Sequence, residues 1–397
     1  MELANKTICT GCGACAMACP QKAIGYYDDE EGFPSPYINE EKCIECGICN
    51  LVCPAIHPPT LHLIREAYAA QLLDHRALMD STSGGVFTAF SREIICQGGI
   101  IYGCIWDDQY RAVVTKAKNE EEIRNMRGSK YVWSWAGDSF PEIKTILDTG
   151  KPVLFTGLAC QVAGLKAYLR RDYDNLYTMD FLCSGAPSPL AFQSWLRTLS
   201  DDPLPSELNL KFRDKKPYGC GVHITYNGQK KRIAKKGEHI SNPYYYAFFS
   251  HLLDRRSCYQ CPYGTDQRVS DISMGDYWGV VNYHREMDIK SGVSALMINS
   301  EKGARLLERV KDSLELKPTE KENIGKANNL RCNGQKRNRL IPEHRDAFFN
   351  ELRLNGWKSA EKRFLHDTKR LKMMVKAHTP KKMLTIAKKI FKRPKEV

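Results

Sequence analysis

The chain has 397 residues, of which 42% are hydrophobic and 26% are charged, with a net charge of +13. At roughly 150 residues per domain, this length predicts two or three domains, each large enough to bury its own core. No apolar stretch approaches the roughly 20 residues of a membrane helix. The first residues contain no apolar signal core either, so we expect a cytoplasmic protein.

Sixteen cysteines occur in this chain without an export signal, a setting in which cysteines indicate metal or redox chemistry rather than disulfides. Eight of them precede Pro54, in two runs of the form C-x2-C-x2-C-x3-C-P. The runs are Cys9, Cys12, Cys15, Cys19 and then Cys43, Cys46, Cys49, Cys53. This spacing is that of bacterial two-cluster ferredoxins, in which the fourth cysteine of each run binds the other cluster.

We therefore predict that residues 1–60 form a ferredoxin domain, the head, with two [4Fe-4S] clusters. The first cluster is assigned to Cys9, Cys12, Cys15 and Cys53, and the second to Cys43, Cys46, Cys49 and Cys19. Gly11, Gly13 and Gly47 would let the backbone approach the clusters closely. Zinc is the alternative, but a zinc ion takes four ligands in two pairs rather than two runs of four. The head carries a net charge of −5, which suits either a solvated surface or a docking face for a basic redox partner.

After about Arg65 the pattern changes to alternating strands and helices. Strands are predicted at residues 67–72, 100–106, 152–155 and 176–182, and helices at residues 83–97, 140–149, 159–169 and 189–199. Strands separated by helices of about 10–15 residues indicate βαβ units. We expect an α/β body with a mixed, mostly parallel sheet. Shorter antiparallel strands are predicted at residues 207–213, 221–226 and 230–234.

Three segments of the body stand where a ligand loop is expected. Thr82-Ser83-Gly84-Gly85 opens a predicted helix and offers amides and a dipole to an anion. Phe155-Thr156-Gly157 ends a strand, and Gly128-Ser129-Lys130-Tyr131 places a cation beside an aromatic ring. None matches a nicotinamide fingerprint or a P-loop, and each alone is typical of a helix cap. Together, beside an electron-carrying head, they predict a phosphate-bearing redox cofactor.

A second cysteine group is scattered along the body and comprises Cys160, Cys183, Cys258 and Cys261. Cys160 and Cys183 each follow a predicted strand, so both should emerge at the carboxyl edge of the sheet. If the four converge, they can hold a third [4Fe-4S] cluster or a zinc ion. Otherwise Cys160 and Cys183 are buried small hydrophobic residues, as free cysteines commonly are. The remaining cysteines have no partner at useful spacing and are interpreted as structural: Cys96, Cys104, Cys220 and Cys332.

These segments occur in the order found in one family. The shared motifs are STSGG (81–85), RGSKY (127–131), FTGLACQ (155–161), DFLCSG (180–185), FRDK (212–215), CYQC (258–261) and DISMGDYWG (271–279). Over about residues 1–300 the chain resembles the coenzyme F420 hydrogenase/dehydrogenase beta-subunit family. More closely, it resembles bacterial members with a ferredoxin head that occur among polysaccharide biosynthesis proteins.

The resemblance implies a bound FAD, iron–sulfur clusters, and electron passage between clusters, flavin and a second substrate. It also implies that Ser83, Gly84 and Gly85 receive the cofactor's phosphates, with Lys130, Tyr131, Thr156 and Gly157 nearby. Asp276 and Tyr277 are candidate polar groups of this site, and no catalytic residue is assigned. A flavin accepts single electrons and donates a hydride, which would join one-electron clusters to two-electron substrate chemistry.

Departures from the family's pattern predict an altered ligand pocket. Leu158-Ala159-Cys160 stands in place of Thr-Pro-Cys. Cys183-Ser184-Gly185 stands in place of Cys-His-Gly, which removes a polar group beside the flavin site. Trp133 and Trp135 stand where Gln and a smaller polar residue are expected. No family member's substrate is therefore carried over to this chain.

The predicted domains are the head at 1–60, two parts of the body at 61–150 and 151–330, and a basic helical tail at 331–397. The second part of the body would hold the flavin and the third metal site. Residues 357–397 carry a net charge of +11. Apolar residues line one face of each of two predicted tail helices: Ala360, Phe364, Leu371 and Val375, then Met383, Ala387, Ile390 and Phe391. Such helices suit either packing on the body or peripheral binding to an anionic membrane surface, whereas nucleic acid is disfavoured because no recognised module accompanies the charge.

Three functions are consistent with these patterns. The first is a flavin and iron–sulfur oxidoreductase acting on a small-molecule substrate, for example in polysaccharide biosynthesis. The second is an electron-transfer subunit that relays electrons to a protein partner without substrate chemistry of its own. The third is a coenzyme F420-dependent reductase. All three require a redox protein partner or another low-potential electron donor.

Overall fold

The computed structural model describes residues 2–199, 210–213, 215, 242–328, 330–333, 339–366 and 370. The strands predicted at 221–226 and 230–234, residues 207–209 of the strand predicted at 207–213, and Cys220 lie outside the described residues. The same holds for the tail beyond residue 370. Within the described ranges, no helix has the length and apolar character needed to span a bilayer.

The head consists of helix–loop units around a β-hairpin. Helix α1 spans Ala14–Ala18 and helix α2 spans Ile48–Leu51. Strand β1 (Ile24–Asp28) pairs antiparallel with β2 (Pro34–Ile38). Each helix begins after a glycine with positive φ, Gly13 at 86° and Gly47 at 75°, a conformation that side chains disfavour. The repeated cysteine run therefore produces a repeated loop and helix.

The body contains the remaining elements. Its strands are β3 (His62–Leu63), β4 (Glu66–Leu72), β5 (Ile100–Trp106), β6 (Ala112–Ala117), β7 (Val153–Gly157), β8 (Leu176–Phe181), β9 (Gln267–Arg268), β10 (Ile272–Asp276), β11 (Ser294–Ile298) and β12 (Leu314–Pro318). Its helices are α3 (His75–Asp80), α4 (Val86–Cys96), α5 (Glu120–Met126), α6 (Ser139–Asp148), α7 (Ala159–Leu169), α8 (Pro189–Leu196), α9 (Pro243–Phe249), α10 (Glu301–Val310), α11 (Lys321–Gly325) and α12 (Arg345–Phe364).

In the described part of the chain, eight strands form one mixed sheet in the order β12-β4-β11-β10-β8-β7-β5-β6. The central strands β5, β7, β8 and β10 run parallel, as the βαβ pattern predicts. Strands β6, β11, β4 and β12 join by antiparallel pairing, so the sheet is less parallel than expected. For β6 the reason is the short turn at 107–111, because a parallel return would need a crossover of a dozen or more residues.

Helices cover both faces of this sheet. Helices α6 and α7 pack on one face together with Val153 and Phe155, while α4 and α10 pack on the other face with Leu154. This alternation along β7 is the two-residue period of a strand. Cys12 and Val52 of the head belong to the same apolar cluster as α6 and α7. The head therefore packs directly on that face of the body.

The positions of the early elements agree well with the sequence patterns. The predicted strand at 100–106 and the predicted helix at 159–169 have the observed limits. The helix predicted from residue 83 begins instead at Val86, because Gly85 has a φ of 78° and lies outside the helical conformation. The helix predicted to extend to residue 199 ends at Leu196.

The described part of the basic tail is a helix packed on the body. Helix α12 places Phe348 and Trp357 in the aromatic core formed with α8 and α9, and Ala360 and Phe364 join the same core. Gly356 interrupts the helix with a φ of 77°. The apolar face up to residue 364 is thus covered by the body. The membrane-surface alternative now concerns residues beyond 366, which apart from residue 370 lie outside the described chain.

Candidate metal and cofactor sites

The first cavity lies between the two cysteine runs of the head. It is lined by Cys9, Cys12, Cys15 and Cys53, the residues predicted to bind one cluster. Burial raises the pKa of Cys12 to about 12, and the nearby Cys9 and Cys53 contribute to the increase. Burial also raises the pKa of Cys15 and of Cys53. Thiols in this environment become thiolates when a metal centre compensates their charge.

The second cavity lies on the solvent side of the head. It is lined by Cys19, Cys43, Cys46 and Cys49, the predicted ligands of the other cluster. Cys46 is exposed, and Ile44 beside it is 60% exposed. Cys49 lines the first cavity as well as the second. The two cavities of the head are therefore neighbours, one open to solvent and one facing the body.

The third cavity lies in the body. It is lined by Cys160, Cys183, Cys258 and Cys261, so the fold brings together the scattered cysteine group. Cys160 lies in the first turn of α7, Cys183 follows β8, and Cys258 lies in a short 3-10 helix, Arg256–Gln260. Burial, followed by the charge of neighbouring groups, raises the pKa of Cys160 and Cys258 well above the usual range.

The first and third cavities adjoin each other. Helix α7, which carries Cys160, lies so close to the head that a Cβ added at Gly164 would be 2.9 Å from Cys12 Sγ. Thr10 lines both cavities. The second cavity meets the first at Cys49, and the first meets the third at Thr10. The cysteine-lined cavities thus form a continuous row from the exposed side of the head into the body.

Buried donors without partners surround this row. Tyr26 Oη and Arg255 Nη1 are buried and have no hydrogen-bond partner among the described residues. Tyr26 lines the first cavity. Arg255 lines the third cavity, and its Nη2 lies 3.8 Å from Cys9 Sγ. Unsatisfied buried donors are costly, and hydrogen bonds to sulfur are a usual feature of iron–sulfur sites, so these residues fit bound clusters.

The described residues contain no group of three or more His, Cys, Asp or Glu side chains arranged around one metal ion. A [4Fe-4S] cluster does not require such a group, because each of its four cysteines binds a different iron.

The predicted cofactor motifs meet at the carboxyl ends of the central strands. The contacts that join them are Ser129 N to Thr82 Oγ1 (3.1 Å), Lys215 Nζ to Ser83 O (2.6 Å), and an ion pair between Arg213 and Asp276. Tyr131 also packs on Phe212, with ring centroids 5.3 Å apart. Four of the family's motifs are therefore in mutual contact at one edge of the sheet.

Several predicted cofactor-binding atoms already have partners within the chain. Ser83 Oγ donates to Val293 O (2.9 Å), and Gly84 N donates to Ser294 Oγ (2.8 Å). Thr156 Oγ1 donates to a backbone carbonyl of β5 (2.7 Å), and Gly157 follows it at the end of β7. The loop at 82–85 is thus held on the sheet by its own hydrogen bonds.

Lys130 and Tyr131 contact different parts of the body. Lys130 Nζ lies 3.2–3.5 Å from carbonyl oxygens of residues 125–128, at the C-terminal end of α5. A cation stabilises a helix at that end. Burial lowers the pKa of Lys130. Tyr131 stacks on Phe248 at 4.8 Å, and Tyr277 Oη lies 2.7 Å from Thr319 Oγ1.

The two unusual tryptophans contact the head. Trp133 Nε1 donates to Thr10 O (3.4 Å), and the ring of Trp135 meets that of Tyr26 edge-on at 4.7 Å. Their bulk therefore fills the junction between head and body, and we attribute their departure from the family's pattern to that packing. The sequence patterns did not identify Tyr26, Gly164 or Arg255. The one available signal was the position of Arg255 shortly before Cys258.

Comparison with known families finds two matching segments of the chain. Residues 8–56 match the 4Fe-4S dicluster domain, and residues 150–322 match the C terminus of the coenzyme F420 hydrogenase/dehydrogenase beta subunit. The chain is therefore an iron–sulfur protein of the hydrogenase/dehydrogenase type. The match over residues 150–322 confirms the resemblance to the coenzyme F420 hydrogenase/dehydrogenase beta-subunit family that was drawn from the ordered motifs.

No curated protein matches the chain in sequence. Twelve chains of solved structures match it, among them one from the F420-reducing [NiFe] hydrogenase complex of Methanosarcina barkeri. That chain is 19% identical, and the match covers 68% of this chain and 91% of that chain with a TM-score of 0.45.

Proposed function

We propose that this chain is an iron–sulfur flavoprotein oxidoreductase that takes single electrons from a low-potential redox protein and uses them, with FAD, on a small-molecule substrate. The row of cysteine-lined cavities carries the proposal. It leads from exposed Cys46, past Cys49 and Cys12, to Cys160 in the body. Cavities that share lining residues would hold redox centres side by side, as sequential one-electron transfer requires.

In this proposal each cavity of the row holds one [4Fe-4S] cluster, with the cysteines given above as ligands. Bound clusters of this kind supply one-electron redox chemistry. The chain supplies the thiolates and the buried donors Tyr26 and Arg255. A zinc ion in the third cavity is the alternative, and metal content distinguishes the two.

The carboxyl edge of the central strands is the proposed FAD site. Its candidate contacts are Ser83, Gly84, Gly85, Lys130, Tyr131, Thr156 and Gly157. The meeting of motifs at this edge supports the assignment, since open α/β sheets bind ligands beyond the carboxyl ends of their strands. Lys215 Nζ, which donates to Ser83 O, adds positive charge beside the loop. FAD supplies the exchange between one-electron and two-electron chemistry.

The second cavity is the proposed contact of the electron donor. Its exposed Cys46 and the net charge of −5 on residues 1–60 support a donor with a basic patch.

The proposed units are the head at 1–60, the body at 61–150 and 151–330, and the tail at 331–397. The net charge of +11 on residues 357–397 supports a peripheral contact of a cytoplasmic protein with an anionic membrane surface. A small molecule of polysaccharide biosynthesis is the proposed substrate class, on the family resemblance alone.

Iron, sulfide and flavin content of the freshly purified full-length chain tests the proposal, together with an electron paramagnetic resonance (EPR) spectrum of the reduced form. All steps are anaerobic. About 12 irons and one flavin per chain are expected. About 8 irons with flavin would return the third cavity to zinc or to a structural role. About 8 irons without flavin after reconstitution would overturn the flavin assignment and leave a ferredoxin-type carrier.

Cysteine variants assign the irons to cavities. Cys258→Ala should remove about four irons and leave the EPR signals of the head clusters in place. Cys12→Ala should remove the iron of the first cavity. Cys96→Ala is the matched control, because Cys96 is exposed at the end of α4, and this variant should keep full iron. Equal iron content in all three variants would contradict the assignment.

An electron-transfer subunit without its own substrate is the second candidate function, and the exposed second cavity favours it equally. Rapid flavin reduction by a redox protein, with reoxidation by a protein partner and no small-molecule turnover, would select this candidate.

The coenzyme F420-dependent alternative has a direct test. Adding that coenzyme to the reduced protein should change its absorbance, and an unchanged spectrum would exclude it.

A further inference from the structure

Arg255 is a buried cation that extends from the body into the head. Its Nε donates to Cys9 O (2.8 Å), and its Nη2 donates to Pro34 O (3.2 Å). The residue is 4% exposed, and its Nη1 has no partner in the described part of the chain. The adjacent Asp254 pairs through Oδ2 with His251 (3.0 Å) and Arg339 (3.3 Å), and its Oδ1 has no hydrogen-bond partner among the described residues.

A buried charge without a counter-ion is strongly unfavourable. A cysteine sulfur lies beside this cation, since Arg255 Nη2 is 3.8 Å from Cys9 Sγ. The approach depends on Gly11, where an added Cβ would lie 3.0 Å from Nη1. A [4Fe-4S] cluster bound by four thiolates carries net negative charge, so a cluster in the first cavity would supply the missing counter-ion.

Tyr26 provides a second donor to the same cysteine set: it lines the first cavity, whereas Arg255 lines the third and reaches Cys9 from there. Its buried hydroxyl has no partner among the described residues. A tyrosine hydroxyl has an ordinary pKa of about 10, so it keeps its proton at neutral pH. It can therefore donate a hydrogen bond to sulfur at any physiological pH.

The second cavity has a different lining. Within the fully described residues 2–60, the side chains around it include Glu45 and no Lys, Arg or Tyr. The head therefore presents two cysteine sets of the same spacing in opposite electrostatic surroundings. One set faces a buried cation and a hydroxyl donor, and the other faces a carboxylate and solvent.

We infer that Arg255 and Tyr26 raise the reduction potential of the first cluster above that of the second. An electron in the head therefore resides on the first cluster, which is the one that faces the body. A reduced cluster carries one more negative charge than an oxidised cluster. Nearby positive charge and hydrogen bonds to sulfur therefore stabilise the reduced form. The inference rests on the proposed function, because it requires clusters in both cavities of the head.

A redox titration of the cluster-loaded full-length chain, followed by EPR, tests this inference. Arg255→Met should lower the potential of one head cluster by at least about 59 mV, a tenfold change in the distribution of one electron. Arg256→Met is the matched control, because the neighbouring Arg256 pairs with Glu31 and Asp346 instead of facing a cavity. Tyr26→Phe should lower the potential of the same cluster by a smaller amount, which identifies it as the first cluster.

Equal potentials in Arg255→Met and Arg256→Met, with full iron in both, would overturn the inference and leave the proposed function intact. A wild-type chain without head iron would overturn the proposed function itself. If Arg255→Met loses iron, Arg255→Lys and Tyr26→Phe carry the test. Arg255→Lys keeps the charge and should retain most of the potential, whereas an unshifted potential in Tyr26→Phe would also overturn the inference.

Discussion

Glu31, in the hairpin of the head, receives two parallel hydrogen bonds from Arg345 at the start of α12, each 2.6 Å long. Both side chains are buried, with Glu31 2% exposed. Arg256 Nε donates a further bond to the same carboxylate (2.7 Å), and Ser188 Oγ donates to Glu31 O (2.5 Å). One residue of the head is thus bound at once to the body and to the C-terminal helix.

Glu31→Gln should destabilise the folded chain by about 3–5 kcal/mol, because it leaves the buried guanidinium of Arg345 without its counter-charge. Unfolding of the iron-loaded protein in guanidinium chloride measures the decrease in the free energy of unfolding. Glu30→Gln is the control, since Glu30 forms an exposed pair with Lys6, and its effect should stay within about 1 kcal/mol. Equal effects of the two substitutions would show that the buried pair contributes no more than the exposed one.

The contribution of Glu31 to stability should depend on pH. Burial alone would raise the pKa of Glu31, but the hydrogen bonds and charge of Arg345 outweigh it and hold that pKa below the ordinary value. A carboxyl with a lowered folded-state pKa contributes fully above its unfolded value of about 4.3, and loses this contribution as the pH falls through its folded value. The stability difference between wild type and Glu31→Gln should therefore be constant between about pH 7 and 5 and shrink below about 4.3. Urea unfolding at fixed pH measures it, and a difference that grows on acidification would contradict the stated sign.

Gly164→Ala should separate the head from helix α7. The added Cβ would lie 2.8 Å from Cys12 Cβ and 2.9 Å from its Sγ, so the helix or the cysteine must move. Overpacking of this kind costs about 1–3 kcal/mol, and we also expect iron loss from the first cavity. Ala167→Ser, one turn further along α7, is the control and should keep full iron. Unchanged iron and stability in Gly164→Ala would mean that the close contact is absent in solution.

Asp271→Asn should affect stability without affecting cofactors. The Asp271 carboxylate accepts hydrogen bonds from Thr178 N (2.9 Å), Thr178 Oγ1 (2.7 Å) and Ser300 Oγ (2.7 Å), which joins β10 to β8 and to the start of α10. The amide can accept on only one side, so we expect a loss of about 1.5–3 kcal/mol with iron and flavin unchanged. Asp288→Asn, at an exposed cap that asparagine fills equally well, is the control. Loss of flavin at wild-type stability would instead give Asp271 a role in binding.

Lys130→Met should reduce both stability and flavin content. Removing the cation at the end of α5 should cost about 1 kcal/mol, and flavin retention after gel filtration should fall if Lys130 also meets the cofactor's phosphates. Lys116→Met, which breaks an exposed pair with Glu142, is the control. A stability loss with full flavin would assign Lys130 to the helix end alone and remove it from the proposed FAD site.

The sequence predicted the cysteine sets of the head because their ligand runs are local. Three cysteines spaced two residues apart form one loop whatever the rest of the chain does. The third set could be stated only as a choice between a metal site and buried thiols, because Cys160 and Cys258 meet through the packing of distant segments. Spacing gives the period of an element and does not record which elements pack together. For that reason the contacts of Gly164, Arg255 and Trp133 with the head were not predicted.

The secondary structure was likewise predicted only in part. The strand at 100–106 and the helix at 159–169 were predicted from their apolar pattern and their bounding glycines and turns. Strands β10, β11 and β12 were not predicted, although β11 is buried along its whole length. A fully buried strand lacks the alternation of polar and apolar residues that identifies a strand with one face in solvent. Of the strands that join by antiparallel pairing, β4 was predicted, whereas β6, β11 and β12 were missed.

The pairing of Glu31 with Arg345 also has a consequence for biosynthesis, because the two residues are 314 positions apart. At about 5–20 residues per second, the ribosome adds Arg345 roughly 15–60 s after Glu31. Until Arg345 is made, the hairpin of the head cannot pack on the body with the Glu31 carboxylate neutralised by its partner. The order of translation thus leaves a period in which the cysteines of the first cavity are made but not yet enclosed, and in which assembly proteins can deliver iron and sulfide before the chain closes over them.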